Sequence, residues 1–110
     1  AYGKAFEHWV ILEVFRLNHY LDKDFRFYYL RTKEQAEIDL IVERPGQSYV
    51  LIEFKSALYV DERDTRRLEQ FIGDFANAEA YCWSQDLVPK KIGRVLALPW
   101  EAGLDRLFGL

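Results

Sequence analysis

Two runs of apolar, largely β-branched residues, 37–43 and 49–56, flank a Pro45-Gly46 pair. That pair favours a tight turn, so the segment reads as an antiparallel hairpin. Strand alternation then sorts the side chains. Ile38, Leu40 and Val42 share one face of the first strand, with Glu37, Asp39, Ile41 and Glu43 on the other. Val50, Ile52 and Phe54 share one face of the second, with Leu51, Glu53 and Lys55 on the other. Asp39 can join Glu53 and Lys55 on a common face, and a slip of one residue would separate them. Charges inside strands this apolar are unfavourable unless they are paired or coordinated.

The flanking sequence supplies layers to cover this sheet. Residues 4–21 carry Phe6, Val10, Val14, Leu17 and Leu21 at helical spacing, and Trp9, Ile11, Leu12 and Phe15 add apolar surface on other sides. A helix that is apolar nearly all round is buried on more than one side. One side meets the sheet; the other meets either a further part of a longer protein or a second copy. Aromatic-rich 25–31 is a strand and 32–36 a polar connection. Asp61 is the N-cap of a helix running to about residue 77, with Glu62 and Asp64 favourable to its dipole. Leu68, Phe71, Ile72 and Phe75 form its buried stripe. Segments 78–84 and 94–99 read as strands, the stretch between them with Pro89, Lys90 and Lys91 as a loop, and 100–108 as a closing helix. The order α-β-β-β-α-β-β-α defines an α/β fold, a mixed sheet flanked by helices. A right-handed crossover through the central helix sets strand 78–84 parallel to an earlier strand.

The 110 residues make a single domain, and a hydrophobic share of 50% excludes a disordered chain. With 15 basic and 18 acidic side chains the net charge is -3, which excludes a protein that coats nucleic acid by charge alone. A nucleic-acid partner would need a local basic patch or a metal. Cys82 is the single cysteine, so no intrachain disulfide can form, which fits a reducing, cytoplasmic setting. Cys82, His8 and His19 lack the spacing of a zinc ligand set. No apolar run approaches the ~18 residues of a membrane span, so no membrane partner is expected. The chain opens at Ala1, has no methionine, and enters a helical pattern almost at once. The expectation is a fragment of a longer protein, with the missing part N-terminal.

Two carboxylates and a strand carbonyl suit a hard cation, magnesium or manganese. Asp39 and Glu53 would hold it, and Glu7 on the first helix could reach the same face. Lys55 could orient a water, stabilise its hydroxide form or contact a phosphate. Together these are the parts that phosphodiester hydrolysis needs. Arg31, Arg63, Arg67, Lys90 and Lys91 are the candidate phosphate contacts, with surface salt bridges or solvated faces as the bland alternative. Arg66 belongs to the same basic run, and Gln70 reads as a surface glutamine. The aromatics Phe25, Phe27, Tyr28, Tyr29, Trp83 and Trp100 read as core or interface rather than as stacking platforms. Asp39, Glu53 and Lys55 could instead form a structural ion cluster, or a vestigial site that keeps its ligands without activity.

Asp39, followed after a turn by Glu53-Phe54-Lys55, resembles the signature of the PD-(D/E)xK nuclease superfamily, whose fold is restriction-endonuclease-like. Ile38 stands where that signature has proline. The resemblance implies Asp39 and Glu53 as metal ligands, Lys55 as catalytic lysine and Glu7 as auxiliary acid. Gly3-Lys4-Ala5-Phe6-Glu7, Tyr28-Tyr29-Leu30-Arg31-Thr32, Glu37-Ile38-Asp39, Ile52-Glu53-Phe54-Lys55 and Ala97-Leu98-Pro99-Trp100 together are similar to the C-terminal domain of a large prokaryotic family of predicted AAA-type ATPases. That likeness implies an ATPase module before Ala1. This piece has no Gly-rich loop ending in Gly-Lys-Ser/Thr, so ATP binding of that kind is not expected here. Two functions follow as expectations: a magnesium- or manganese-dependent nuclease domain acting on DNA, or less readily RNA; and an interaction or homo-oligomerisation module of the ATPase.

Overall fold

The computed structural model describes residues 2–31 and 37–110; Ala1, the 32–36 connection and the side chains of Tyr2 and Glu37 lie outside that description. The elements are α1 (Tyr2–Tyr20), β1 (Arg26–Arg31), β2 (Glu37–Glu43), β3 (Tyr49–Phe54), α2 (Glu62–Ile72), β4 (Ala78–Ser84), β5 (Lys90–Ile92), β6 (Val95–Pro99) and α3 (Trp100–Phe108). The fold is the expected mixed α/β one. A single sheet runs in the order β1-β2-β3-β4-β6-β5, antiparallel except where β3 pairs with β4 and β4 with β6. The hairpin β2–β3 turns at Pro45-Gly46, with Gly46 at φ 71 where a Cβ would be disfavoured. The crossover through α2 makes β4 parallel to β3.

The sheet separates two apolar layers. On one face Phe6, Val10 and Val14 of α1 and Leu104, Leu107 and Phe108 of α3 pack on Leu40, Val42, Val50, Ile52, Phe54 and Trp83. On the other, Leu68 and Ile72 of α2 pack on Ile38, Ile41, Leu51, Ala80, Cys82 and Ala97. The first helix is only half covered: Trp9, Leu12 and Phe15 remain substantially exposed.

Three details depart from the sequence reading. First, α2 stops at Ile72, five residues early. Gly73 caps it, the following Asp74 N–H donating to the Phe71 carbonyl at 2.9 Å, and Phe75 joins the apolar layer from beyond the helix. The start is as expected: Asp61 accepts from Arg63 N, and Asp64 reaches back to the Asp61 N–H in a reciprocal cap. Second, the stretch read as a loop contains β5, a three-residue edge strand paired with β6 across a turn at Gly93, φ 61. A short edge carrying two lysines resists pairing with other chains. Third, β2 is bulged. Tyr28 pairs with Ile41 and Leu30 with Ile38, so two residues of β2, Asp39 and Leu40, oppose the single Tyr29 of β1. Ile38 therefore joins Ile41 under α2 instead of lying with Leu40 and Val42.

Gly103 of α3 lies directly on the Trp83 indole: a Cβ there would come within 2.4 Å of the ring. Gly103→Ala should therefore lower unfolding free energy by about 1–3 kcal/mol, the usual range for overpacking a core, as read by urea denaturation. An unchanged midpoint would mean that α3 docks more loosely than this contact implies.

Candidate functional site

Glu53 stands at the penultimate position of β3, paired across the parallel ladder with Cys82. It is 5% exposed. Among the described residues no donor hydrogen-bonds its carboxylate. Burial pushes its pKa from 4.5 up to about 7; Lys55 pulls it back, and the negative charge of Asp39 adds to the rise. Arg67 also lowers it and Asp64 raises it. The neighbouring Cys82 thiol is pushed up to about 12, by burial first and then by Glu53. It is a core thiol and not a nucleophile at neutral pH.

The bulge decides where Asp39 points. Asp39 and Leu40 line the α1 side of the sheet, in a hollow of about 270 Å³ shared with Glu7. From there the Asp39 Oδ2 accepts from the Phe54 N–H at 2.9 Å. The carboxylate takes the position a ladder carbonyl would have had, and so is fixed across the end of β3. Glu7 is half-buried on α1 and lines the same hollow. Among the described residues no group of three or more His, Cys, Asp or Glu side chains is arranged to hold a metal ion. Asp39 and Glu53 are thus electrostatically coupled neighbours, with Glu7 reaching Asp39's hollow rather than closing a three-carboxylate cluster.

Glu53 and Lys55 open on the other side of the sheet, into a polar cavity of about 290 Å³. Its remaining wall comes from one face of α2: Arg63, Arg66, Arg67 and Gln70, with Asp64 beside them. Arg66 and Gln70 carry more of this site than their sequence reading allowed. The signal was available, because positions 63, 66, 67 and 70 have the i, i+3, i+4, i+7 spacing of one helical face. The side chains of Lys55, Arg66 and Arg67 have no ion pair or hydrogen bond among the described residues. Arg63 differs: its guanidinium pairs with Asp61 at 2.7 Å.

The other basic candidates sit elsewhere. Lys90 forms an ion pair with Asp86 at 2.8 Å, donates to the Val60 carbonyl, and lies 3.9 Å over the Tyr59 ring. Asp86 also accepts from Val60 N and Val88 N. The Lys90 contact first, then these two N–H groups, hold the Asp86 carboxyl down at about 2. This cluster fastens the loop after β4 to the loop that leads from Lys55 to α2. Lys91 is exposed on the edge strand. Arg31 ends β1, its guanidinium 5.7 Å from the centre of the Tyr29 ring.

Fold and site together define a mixed α/β domain whose central strands end in a buried carboxylate, a second carboxylate and a cationic cavity. The chain belongs to the family described as a domain of unknown function, DUF4143, whose sequence profile matches residues 2–102. Comparison with curated proteins and with solved structures gave no match. No helix among the described residues is long and apolar enough to cross a membrane.

A carboxyl whose folded pKa lies above its unfolded value weakens folding as it ionises. For Glu53, stability should fall as pH rises from about 4.5 to about 7. In chelator, Glu53→Gln should be close to neutral at pH 4 and stabilising at pH 8, by up to about 3 kcal/mol. Urea melts of both proteins at the two pH values read this directly. An identical difference at both would show that Glu53 is not desolvated.

Proposed function

We propose that this domain is a metal-dependent phosphodiesterase acting on DNA. The observation that carries the reading is Glu53, a residue only 5% exposed whose carboxylate lines the polar cavity with no hydrogen-bond donor among the described residues, next to Asp39 and two residues from Lys55. A carboxylate desolvated in this way is unfavourable unless a cation offsets it. The all-oxygen pair of Asp39 and Glu53 fits magnesium or manganese. Such an ion, when bound, supplies Lewis acidity to a phosphoryl oxygen and acidifies a water. Asp39 and Glu53 would hold it, with Glu7 as an auxiliary acid on the α1 side. Lys55 lines the cavity, from which its ammonium group would orient the attacking water and stabilise its hydroxide form. Arg66 and Arg67 would carry the negative charge of the phosphate backbone. This local cationic wall answers the net charge of -3, which gives no general attraction to DNA.

The likeness to the C-terminal domain of AAA-type ATPases supports placing this domain beside an ATPase module in the same cytoplasmic protein, which would move nucleic acid past the site. A second reading is supported by a separate observation. Trp9 and Leu12 of α1 are each about half exposed, as on a helix that docks against another protein surface, so an interaction module with a vestigial site is the alternative.

Incubation with supercoiled plasmid and with single-stranded DNA in manganese separates the two. The nuclease reading predicts cleavage that chelator abolishes and that Lys55→Ala reduces by about 100-fold or more, the usual weight of a positioned acid–base group. Wild-type protein that is folded, binds manganese and cleaves neither substrate would favour the interaction module.

A further inference from the structure

The hollow beside Asp39 has an unusual composition for a metal-ligand neighbourhood. Against the carboxylates of Glu7 and Asp39 stand three aromatic residues, Phe15, Phe27 and Tyr29, while Tyr28, paired with Ile41, turns its ring to the other face of the sheet. Tyr29 is 55% exposed, so it presents surface to solvent rather than to the core. The rings are held in place. Phe15 and Phe27 pack at 5.0 Å. The Arg31 guanidinium lies 5.7 Å from the Tyr29 ring centre. The hollow measures about 270 Å³, on the scale of one small planar group.

We propose that this hollow receives an unpaired nucleobase, so that the site works on single-stranded rather than duplex nucleic acid. The inference rests on the phosphodiesterase reading and specifies its substrate. The two sides of the Asp39–Glu53 pair differ in a way that matches one nucleotide. On the α2 side Lys55, Arg66 and Arg67 line a polar cavity suited to backbone phosphates. On the α1 side, across the bulge, the walls are aromatic. A strand crossing the sheet end between them would lay phosphate on one side and base on the other. Only a base free of its stack can offer its face to Tyr29; within a duplex both faces are already covered. An apolar protein segment would use the aromatic wall, but the cations across the carboxylates, which pair with no described residue, match a polyanion.

The test is binding in chelator, where no cleavage occurs, using fluorescence anisotropy of a labelled 12-residue oligothymidylate and of a 12-base-pair blunt duplex. Wild type should bind the single strand more tightly than the duplex. Tyr29→Ala should weaken single-strand binding about tenfold, within the range measured for loss of one stacked base, and change duplex binding less than twofold. Tyr29→Phe should restore it. A strand carrying 2-aminopurine should lose fluorescence on binding wild type and keep it on binding Tyr29→Ala. Equal affinity of wild type and Tyr29→Ala, tighter binding of the duplex, or binding of neither would overturn the proposal. A wild type that binds the strand through Tyr29 but never cleaves it in manganese would remove the phosphodiesterase reading and leave this base site standing. Cleavage with no dependence on Tyr29 would do the reverse.

Discussion

The largely buried carboxylate of Glu53, which no described residue hydrogen-bonds, is the constraint around which this sheet is arranged. Glu53 sits where its strand neighbours, Leu51 and Ile52, are fully enclosed, and where the adjacent strand offers Cys82 rather than a hydrogen-bonding group. Desolvation there opposes the charge, and the pKa of about 7 expresses that opposition. The surroundings temper the effect rather than remove it. Lys55 and Arg67 pull the value down, while Asp39 and Asp64 push it up. A site selected only for stability would have an apolar residue at position 53, which would remove the desolvation penalty.

Each neighbouring feature of the backbone serves to bring charge to that point. The parallel β3–β4 pair, with α2 as crossover, places the start of α2 over the strand end that carries Glu53 and Lys55. The reciprocal cap at Asp61 and Asp64 fixes that start. The Asp86–Lys90 pair, with Asp86 also bound to Val60 N, ties the connecting loop to the loop after β4. The bulge in β2 turns Asp39 away from the face of Glu53 to the α1 side, and only its hold on Phe54 N keeps that second charge at the same strand end. Bulges commonly re-aim a side chain next to a functional site in this manner.

Much of this was legible in the sequence. The hairpin at Pro45-Gly46, the three consecutive strands, the cap at Asp61 and the parallel crossover all follow from local chemistry. So do the candidates Asp39, Glu53 and Lys55, because charges inside apolar strands stand out. What escaped depends on tertiary geometry. Alternation put Ile38 with Leu40 and could not register an inserted residue whose evidence is the pairing with β1. Phe75 fits the periodic stripe of α2, yet Gly73 ends the helix and Phe75 reaches the same layer by a turn. Lys90 looked like a free cation; its partner Asp86 is only four residues away, but the loop's conformation had to be seen to pair them. Tyr28 and Tyr29 read as core or interface, and the edge position of β1 leaves both about half exposed.

The central claim is that Asp39 and Glu53 are kept close, and Glu53 kept buried, in order to hold a divalent cation. Isothermal titration of manganese into the metal-free protein at pH 8 and pH 6, for wild type and for Asp39→Ala, tests it most directly. The account predicts binding by wild type at pH 8. It also predicts weaker binding with proton release at pH 6, where Glu53 must first ionise, and no measurable heat of binding for Asp39→Ala. A folded wild type that takes up no manganese at pH 8, or one that binds it equally well without Asp39, would contradict the account.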